Sequence, residues 1–389
     1  MSYSSGNRMP KTYEGKEYYY SQTKIAKKDR KTDSIKLEDL MDAYRKTDDE
    51  FEPQEPEYIA KERLIDVLGD IRNGTYKPDK PRIQEKPKSS GGTRTLTIPH
   101  ILDRVVGKTV LAKLTPIVDP KFDPRSHGGR PGKGIQSAIA EAYEAIEGGM
   151  HYVLAVDIKD AFPNTPTESA LAVLERLSEQ HPCMGLAKVC IRGHIGAKRK
   201  VGLDQGHPLS PIAFNAFMGE WVDSLVPLDA DIRYIRYLDN IYLFGNGPKK
   251  LNTIMESVQT GLTAKGFILK TDPCRELNSE KLPILGYQIG LNGSRIEITG
   301  DEAWVNDLAE SLIRAYEKPN SHKLGKPIVD SWLKSQALRT SWNLEDTQKV
   351  NELLEYYGFQ YKVNHEDAIK DLQDKKLSWI QKYNLHNIT

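Results

Sequence analysis

The sequence predicts an α+β protein of two or three lobes, and three observations predict it. Residues 232–244 read IRYIRYLDNIYLF, two apolar arms around Asp239 and Asn240. Ile, Tyr and Phe favour extended chain, while Asp-Asn favours a tight turn because both residues tolerate left-handed backbone angles, so the pattern is a β-hairpin with a carboxylate at its turn. Residues 152–162, YVLAVDIKDAF, form a second apolar strand that runs into Asp157. Elsewhere apolar residues recur at helical spacing, most continuously from residue 301 onward.

Two strand-borne carboxylates far apart in sequence suit a two-metal phosphoryl-transfer site. Hard divalent cations take oxygen ligands, and a pair about 3.5–4 Å apart activates the attacking oxygen and stabilises the leaving one. Composition sets the frame around that chemistry. The chain has 389 residues, more than one small module needs, and at 38% hydrophobic and 28% charged it has much solvated surface. No apolar run approaches the ~20 residues of a membrane span, so no membrane partner is expected. Three cysteines, Cys183, Cys190 and Cys274, lack metal-site or disulfide spacing, and residues 1–15 lack a secretory apolar core; both point to a reducing cytoplasm. Net charge is only +1, yet residues 77–133 carry more basic than acidic side chains and Lys198-Arg199-Lys200 forms a second basic cluster. Local basic surface on a near-neutral chain fits nucleic acid.

Taken in order, residues 1–33 are polar and tyrosine-rich and read as an arm. Residues 34–46 form an amphipathic helix, and residues 58–73 a second one, stopped by Asn73-Gly74. Lys86 and Lys88 lead into Ser-Ser-Gly-Gly, and the returning strand, 93–98, carries Arg94. Basic side chains on both arms of such a hairpin suit a triphosphate. A helix follows from His100. The stretch HGGRPGKGIQSAIAEAYEAI, 127–146, is a glycine-rich loop feeding a helix; its spacing excludes a P-loop, and polynucleotide phosphates are its expected ligand. Phe162, five residues after Asp157, reads either as a flat platform beneath a nucleotide sugar or as a core aromatic. Gln205 and Gly206 sit on a loop where backbone can approach a base pair, before a helix opened by Ser210-Pro211. After a helix at 251–266, FILKTDPCRE and KLPILGYQIG read as paired strands, and the remainder as helices.

With these stretches in order, the chain resembles the bacterial reverse transcriptases, the set that includes group II intron, retron and phage-defence enzymes. RTLTIPHILDRVV is similar to the family's fingers motif and HGGRPGKGIQSAI to its next block. VDIKDAF resembles the palm motif with the first catalytic aspartate, GLDQGHPLSPIAFN the motif lining the nascent base pair, RYLDN the Tyr-x-Asp-Asp box, and LPILGYQIG the primer grip. The resemblance implies a right-hand polymerase. It would comprise an N-terminal arm and helix (1–57), fingers (58–150), an antiparallel-sheet palm with the catalytic hairpin (151–290) and a helical thumb or C-terminal region (291–389). It further implies that Asp157 and Asp239 are catalytic and hold two Mg2+ ions with the Ile158 carbonyl. Phe162 would take the sugar-discriminating place with Asp160 and Ala161 beside it, Gln205 and Gly206 would contact the nucleotide, and Arg94 with Lys86 or Lys88 would hold its phosphates. The implied partners are deoxynucleoside triphosphates, an RNA template or non-coding RNA, the DNA product, and a protein partner or second copy of the chain.

Two departures stand out. Asn240 replaces the second aspartate of the box, removing one negative charge beside the metals, and Pro273 lies where a proton-donating lysine is expected, leaving Lys270 and Arg275 as alternatives. No endonuclease motif is found. The compact form and altered box are most similar to defence-associated or abortive-infection reverse transcriptases. Two other readings stay open: a subunit that kept the fold and lost its chemistry at Asn240, and a template-independent or protein-templated polymerase working beside a partner.

Overall fold

A computed structural model describes residues 12–13, 16–17, 34–47, 56–87, 93–300, 304–316 and 323–383. The predicted N-terminal arm lies outside these residues apart from a two-rung ladder of β1 (Thr12–Tyr13) and β2 (Lys16–Glu17); Lys88 and the Ser-Ser-Gly-Gly turn lie outside them too. The chain clusters into two compact units. One comprises Met1–Glu85, Thr95–Lys121 and Phe162–Phe217, the other Lys86–Arg94, Phe122–Ala161 and Met218–Thr389. Chain order and spatial unit are therefore different divisions of this protein.

The first unit is mainly helical. It holds α1 (Leu37–Arg45) and α2 (Glu57–Asn73), whose end is fixed by Gly74 at φ +69°, the left-handed C-terminal cap the sequence predicts. A hairpin of β3 (Arg82–Pro87) and β4 (Thr93–Ile98) has its base here. Then come α3 (Ile101–Val118), which buries Val105, Val106, Val110 and Leu114, and later α6 (Thr167–Leu177) and α7 (Met184–Arg192). Helix α7 has no counterpart in the sequence reading. Helix α8 (Ser210–Trp221) opens with Pro211 in its first turn.

The second unit is built on an antiparallel sheet. After α4 (Ile135–Glu147) the strand β5 (Tyr152–Lys159) runs into the short α5 (Ala161–Asn164). Strands β6 (Ile232–Tyr237) and β7 (Asn240–Gly245) follow, then α9 (Pro248–Thr263), β8 (Ile268–Thr271) and β9 (Arg275–Glu276). The strand order is β6-β7-β5-β8, with β9 also on β5. A separate sheet of β10 (Leu282–Ile284), β11 (Tyr287–Asn292) and β12 (Arg295–Gly300) leads into α10 (Asn306–Tyr316), α11 (Gly325–Ser335), α12 (Leu344–Tyr356) and α13 (His365–Tyr383).

The stretches FILKTDPCRE and KLPILGYQIG are thus not partners of each other. The first supplies β8 and β9, which pair with β5 on either side of Pro273. Proline cannot donate to a ladder, so the edge is broken there. The second folds on itself as β10 and β11, joined by Leu285 and Gly286 at φ +50° and +85°. Positive φ at both central residues matches the twist of the flanking strands and gives a tight hairpin.

Period-two alternation gives the main sheet two faces. Val153, Ile235, Tyr242 and Phe244 pack with Ala138, Ile139 and Ile146 of α4 and with Leu282, Ile284, Ile289 and Ile298 of the second sheet. The other face carries Leu154, Val156, Ile158, Ile241 and Leu243, with the buried row Leu251, Met255, Val258 and Leu262 of α9 packed on the sheet. Phe244, fully buried opposite Val153, anchors the first of these cores. Phe244→Ala is expected to cost about 3–5 kcal/mol and to lower the urea midpoint of this unit, followed by far-UV circular dichroism.

Candidate active site

The site begins with how β6 turns into β7. Tyr237 pairs with Asn240, so the turn consists of Leu238 and Asp239, one residue earlier than the Asp-Asn pair the sequence suggests. Leu238, not Asp or Asn, takes the left-handed conformation at φ +53°. Local propensity does not favour this in a leucine. Tertiary contacts impose it: a Cβ added at Gly128 would stand 2.7 Å from the Leu238 backbone nitrogen and side chain, and Arg236 Nη1 donates to the Leu238 carbonyl at 3.1 Å.

Arg236 is itself fully buried. A guanidinium in that position needs a carboxylate, and Asp223 receives two of its N–H groups at 2.7 Å each and the Tyr234 hydroxyl at 2.6 Å. Against the outer edge of β6, His127 N–H donates to the Arg236 carbonyl at 2.8 Å and Arg236 N–H to that of Arg125 at 3.0 Å. Sequence reasoning missed Asp223, Arg236 and Gly128. The signal was available for Arg236, a charged residue on the buried-type strand IRYIRY.

Register then assembles the chemistry. Asp157 of β5 stands opposite Asn240 of β7 on one side and Lys270 of β8 on the other. Directly opposed residues of antiparallel strands project from the same face, so these three form one row, with Asp157 and Lys270 exposed. Asp239 is the next residue along. Tyr242 lies two residues below Asn240 on the same face. Burial lifts its phenol well above its ordinary value; a backbone hydrogen bond from Leu285 opposes this, and the carboxylates of Asp157, Asp239 and Asp272 add to it. Asp239, in the turn, and Asp157, in the row, both act on this phenol.

Asn240 Nδ2 points to Asp239 Oδ1 at 3.4 Å. Among the described residues no three His, Cys, Asp or Glu side chains converge as a metal-binding group. The expected ligands, the Asp157 and Asp239 carboxylates and the Ile158 carbonyl, are all oxygens, the donor type a hard cation such as Mg2+ would take. Asp160, at φ +47°, ends β5, and the buried Ala161 starts α5.

The predicted nucleotide contacts fall in both units. In the first, Thr97 N–H donates to the Gln205 carbonyl at 2.8 Å, and Gly206, at φ +114°, lies so close that a Cβ would be 2.9 Å from the Thr97 oxygen. Arg199 holds Asp204 at 2.7 Å, and Ser210 Oγ donates to the Asp204 carbonyl at 2.7 Å. Main-chain and side-chain bonds together hold the loop. Phe162 is 9% exposed and stacks on Phe214 at 4.6 Å, so most of its ring is core, with only an edge presented. Arg94, exposed, and Lys86, half-buried, are on the two arms of the β3–β4 hairpin.

The glycine-rich loop departs from expectation. Arg130 Nη1 donates to the carbonyls of Asp123 and Ser126 at 2.6 and 3.0 Å, and Lys133 donates to that of Pro124. Ser137 Oγ accepts the Gly134 N–H at 3.0 Å at the start of α4. The groups read as phosphate ligands bind the loop's own backbone.

A family model described as reverse transcriptase (RNA-dependent DNA polymerase) matches residues 85–289, which contain both aspartates, Asn240, Phe162 and Gln205. The chain belongs to the reverse transcriptase family. It has that family's α+β fold, with the β6-β7-β5-β8 sheet as its palm. It is 28% identical over 207 residues to protein YkfC of Escherichia coli strain K12, covering 51% of each chain. With the group II intron-encoded protein LtrA of Lactococcus lactis it shares 25% over 168 residues, 42% of this chain and 28% of that one. A 91 kDa protein in the cob intron of Schizosaccharomyces pombe is 29% identical over 152 residues, 38% of this chain and 19% of its own. The chain thus spans a fifth to a half of these relatives' lengths. Telomerase from Candida albicans in complex with a telomeric RNA fragment overlays with a TM-score of 0.46 at 13% identity, over 86% of this chain and 65% of that one.

Two buried groups of the first unit titrate in opposite senses. Burial, with Arg199 adding, lowers His207 from 6.5 to about 4. Its folded form resists protonation, so its contribution is present above pH 6.5 and lost as pH falls toward 4. Burial raises Asp103 from 3.8 to about 6, against hydrogen bonds from Tyr76 and the Asp79 N–H. Its contribution is present below pH 3.8 and lost as pH rises through 6. The two largely cancel across one window. Asp103→Asn removes one side of that balance, and its stability relative to the parent is expected to fall by on the order of 3 kcal/mol from pH 7 to pH 4, read from urea midpoints.

Proposed function

We propose that this reverse transcriptase is an active DNA polymerase that extends a 3′ hydroxyl with deoxynucleotides by two-metal phosphoryl transfer. One observation supports the reading: the β5–β7 register sets Asp157 opposite Asn240, the residue after Asp239, and both carboxylates act on the Tyr242 phenol. Bound there, two Mg2+ ions would supply activation of the attacking hydroxyl and stabilisation of the charge that develops on the phosphoryl oxygens. The residues' own part is positioning. Asp157 and Asp239 fix the point at which the α-phosphate is attacked, the new P–O bond replaces the bond to the β-phosphate oxygen, and pyrophosphate leaves. Gln205 and Gly206 are proposed to line the nascent base pair, the Phe162 edge to meet the sugar, and Lys86, Lys88 and Arg94 to hold the triphosphate. RNA as template is supported by the family. Action in the bacterial cytoplasm as part of anti-phage defence, with a protein partner or second copy, rests on similarity of subtype.

A second reading is favoured by Asn240. One carboxylate fewer leaves a weaker cation site, as expected of a nucleic-acid-binding subunit that has lost chemistry. Incorporation of each labelled deoxynucleotide by the purified protein in Mg2+, before and after RNase digestion of copurified RNA, separates the two. Activity is expected in the parent and a loss of about a hundredfold or more in Asp157→Ala and Asp239→Ala, with Asn240→Asp lowering the Mg2+ concentration needed. Salt-sensitive nucleic-acid binding without incorporation in any form would establish the second reading.

A further inference from the structure

The glycine-rich loop is tied to the turn that carries Asp239. Its chain passes along the edge of β6, with Ser126 bridged to Arg236 and the His127 N–H on the Arg236 carbonyl. Its shape is set from within: Arg130 and Lys133 hold the carbonyls of Asp123, Pro124 and Ser126, and His127 Nδ1 meets Ser137 Oγ at 2.7 Å while its Nε2 lies 3.4 Å from Glu141. The buried imidazole, hydrogen-bonded at Nδ1, fixes the chain on either side of it. The next residue, Gly128, lies flush on Leu238, where no side chain fits. Arg236, locked by Asp223, donates to the Leu238 carbonyl.

We propose that Gly128 and Arg236 are positioning residues that clamp the left-handed turn at Leu238 and thereby set where the Asp239 carboxylate stands relative to Asp157. Leu238 in the left-handed region is a conformation that persists only where its surroundings over-determine it. Relaxing either contact lets the turn move, and Asp239 is the next residue. The proposal rests on the polymerase reading for its consequence in catalysis, while the clamp itself acts on metal binding.

The test compares Mn2+ binding, by electron paramagnetic resonance titration of the full-length chain, with steady-state incorporation. Gly128→Ala pushes on Leu238 without touching the buried ion pair. Arg236→Lys keeps a cation for Asp223 and removes the guanidinium N–H from the turn. Asp157→Ala reports the metal site itself. Both positioning variants are expected to weaken Mn2+ binding by about 10–100-fold and to lower kcat while KM for the deoxynucleotide stays within about twofold, the pattern of a contact realised in the transition state. A folded Gly128→Ala or Arg236→Lys with parental Mn2+ affinity overturns the proposal, as does parental Mn2+ binding that Asp157→Ala leaves unchanged. Loss of fold in both variants also overturns it, since the contacts are then structural. Weakened metal binding without incorporation by any form supports the clamp and removes the polymerase reading; parental kcat in both variants does the reverse.

Discussion

The buried ion pair between Asp223 and Arg236 is the constraint on which the β6–β7 turn and its carboxylate depend. A guanidinium with no exposed surface is held in place by its partner, and removing one member of such a pair costs about 3–5 kcal/mol because the other charge is left unpaired. Here the pair does more than satisfy itself. Its third N–H reaches the Leu238 carbonyl, its backbone meets residues 125–127, and the Tyr234 hydroxyl shares the same carboxylate. The interior of β6 is thereby joined to the turn that presents Asp239. An apolar replacement could fill the same volume, but it could not direct a donor into the turn.

From that fixed edge, register carries position across the sheet. Tyr237 meets Asn240, Asn240 meets Asp157, and Asp157 meets Lys270, so this polar row is a consequence of strand pairing. The hydrophobic face below sets the pairing, because a slip of one residue would bring Asp157 and Asn240 into the core and Val156 and Ile241 out of it. Stability and function share one alternation. Tyr242, beneath the carboxylates and hydrogen-bonded by the Leu285 backbone, links this row to the β10–β11 hairpin.

Much of this was legible in the sequence because it is written in period two. The hairpin at 232–244, the strand into Asp157 and the helix ended by Gly74 each follow from alternation or from a residue with one conformational use. What escaped depends on contacts between distant residues. The turn lies one residue early because Gly128 and Arg236 impose it, which no local preference of Leu238 conveys. Arg130 and Lys133 resemble phosphate ligands in sequence, and only the fold shows the carbonyls they meet. Strands β8 and β9 pair with β5 rather than with the hairpin that follows, because β5 had an open edge and Pro273 divides the segment lying on it. Phe162, which the sequence leaves open between sugar platform and core aromatic, is nearly buried and stacks on Phe214.

Asn240 is where the site departs most from its family. It keeps the size of the missing aspartate and its place in the register, so strand pairing is undisturbed while one negative charge is lost from the row that contains Asp157 and Lys270. The central claim is that Asp157 and Asp239, with the Ile158 carbonyl and without a second aspartate at position 240, still hold the cations of phosphoryl transfer. The most direct measurement is an anomalous difference map from crystals of the full-length protein soaked in Mn2+. The account predicts density for bound Mn2+ between the Asp157 and Asp239 carboxylates, absent from Asp239→Ala crystals. Ordered carboxylates with Mn2+ only elsewhere in the protein would contradict it.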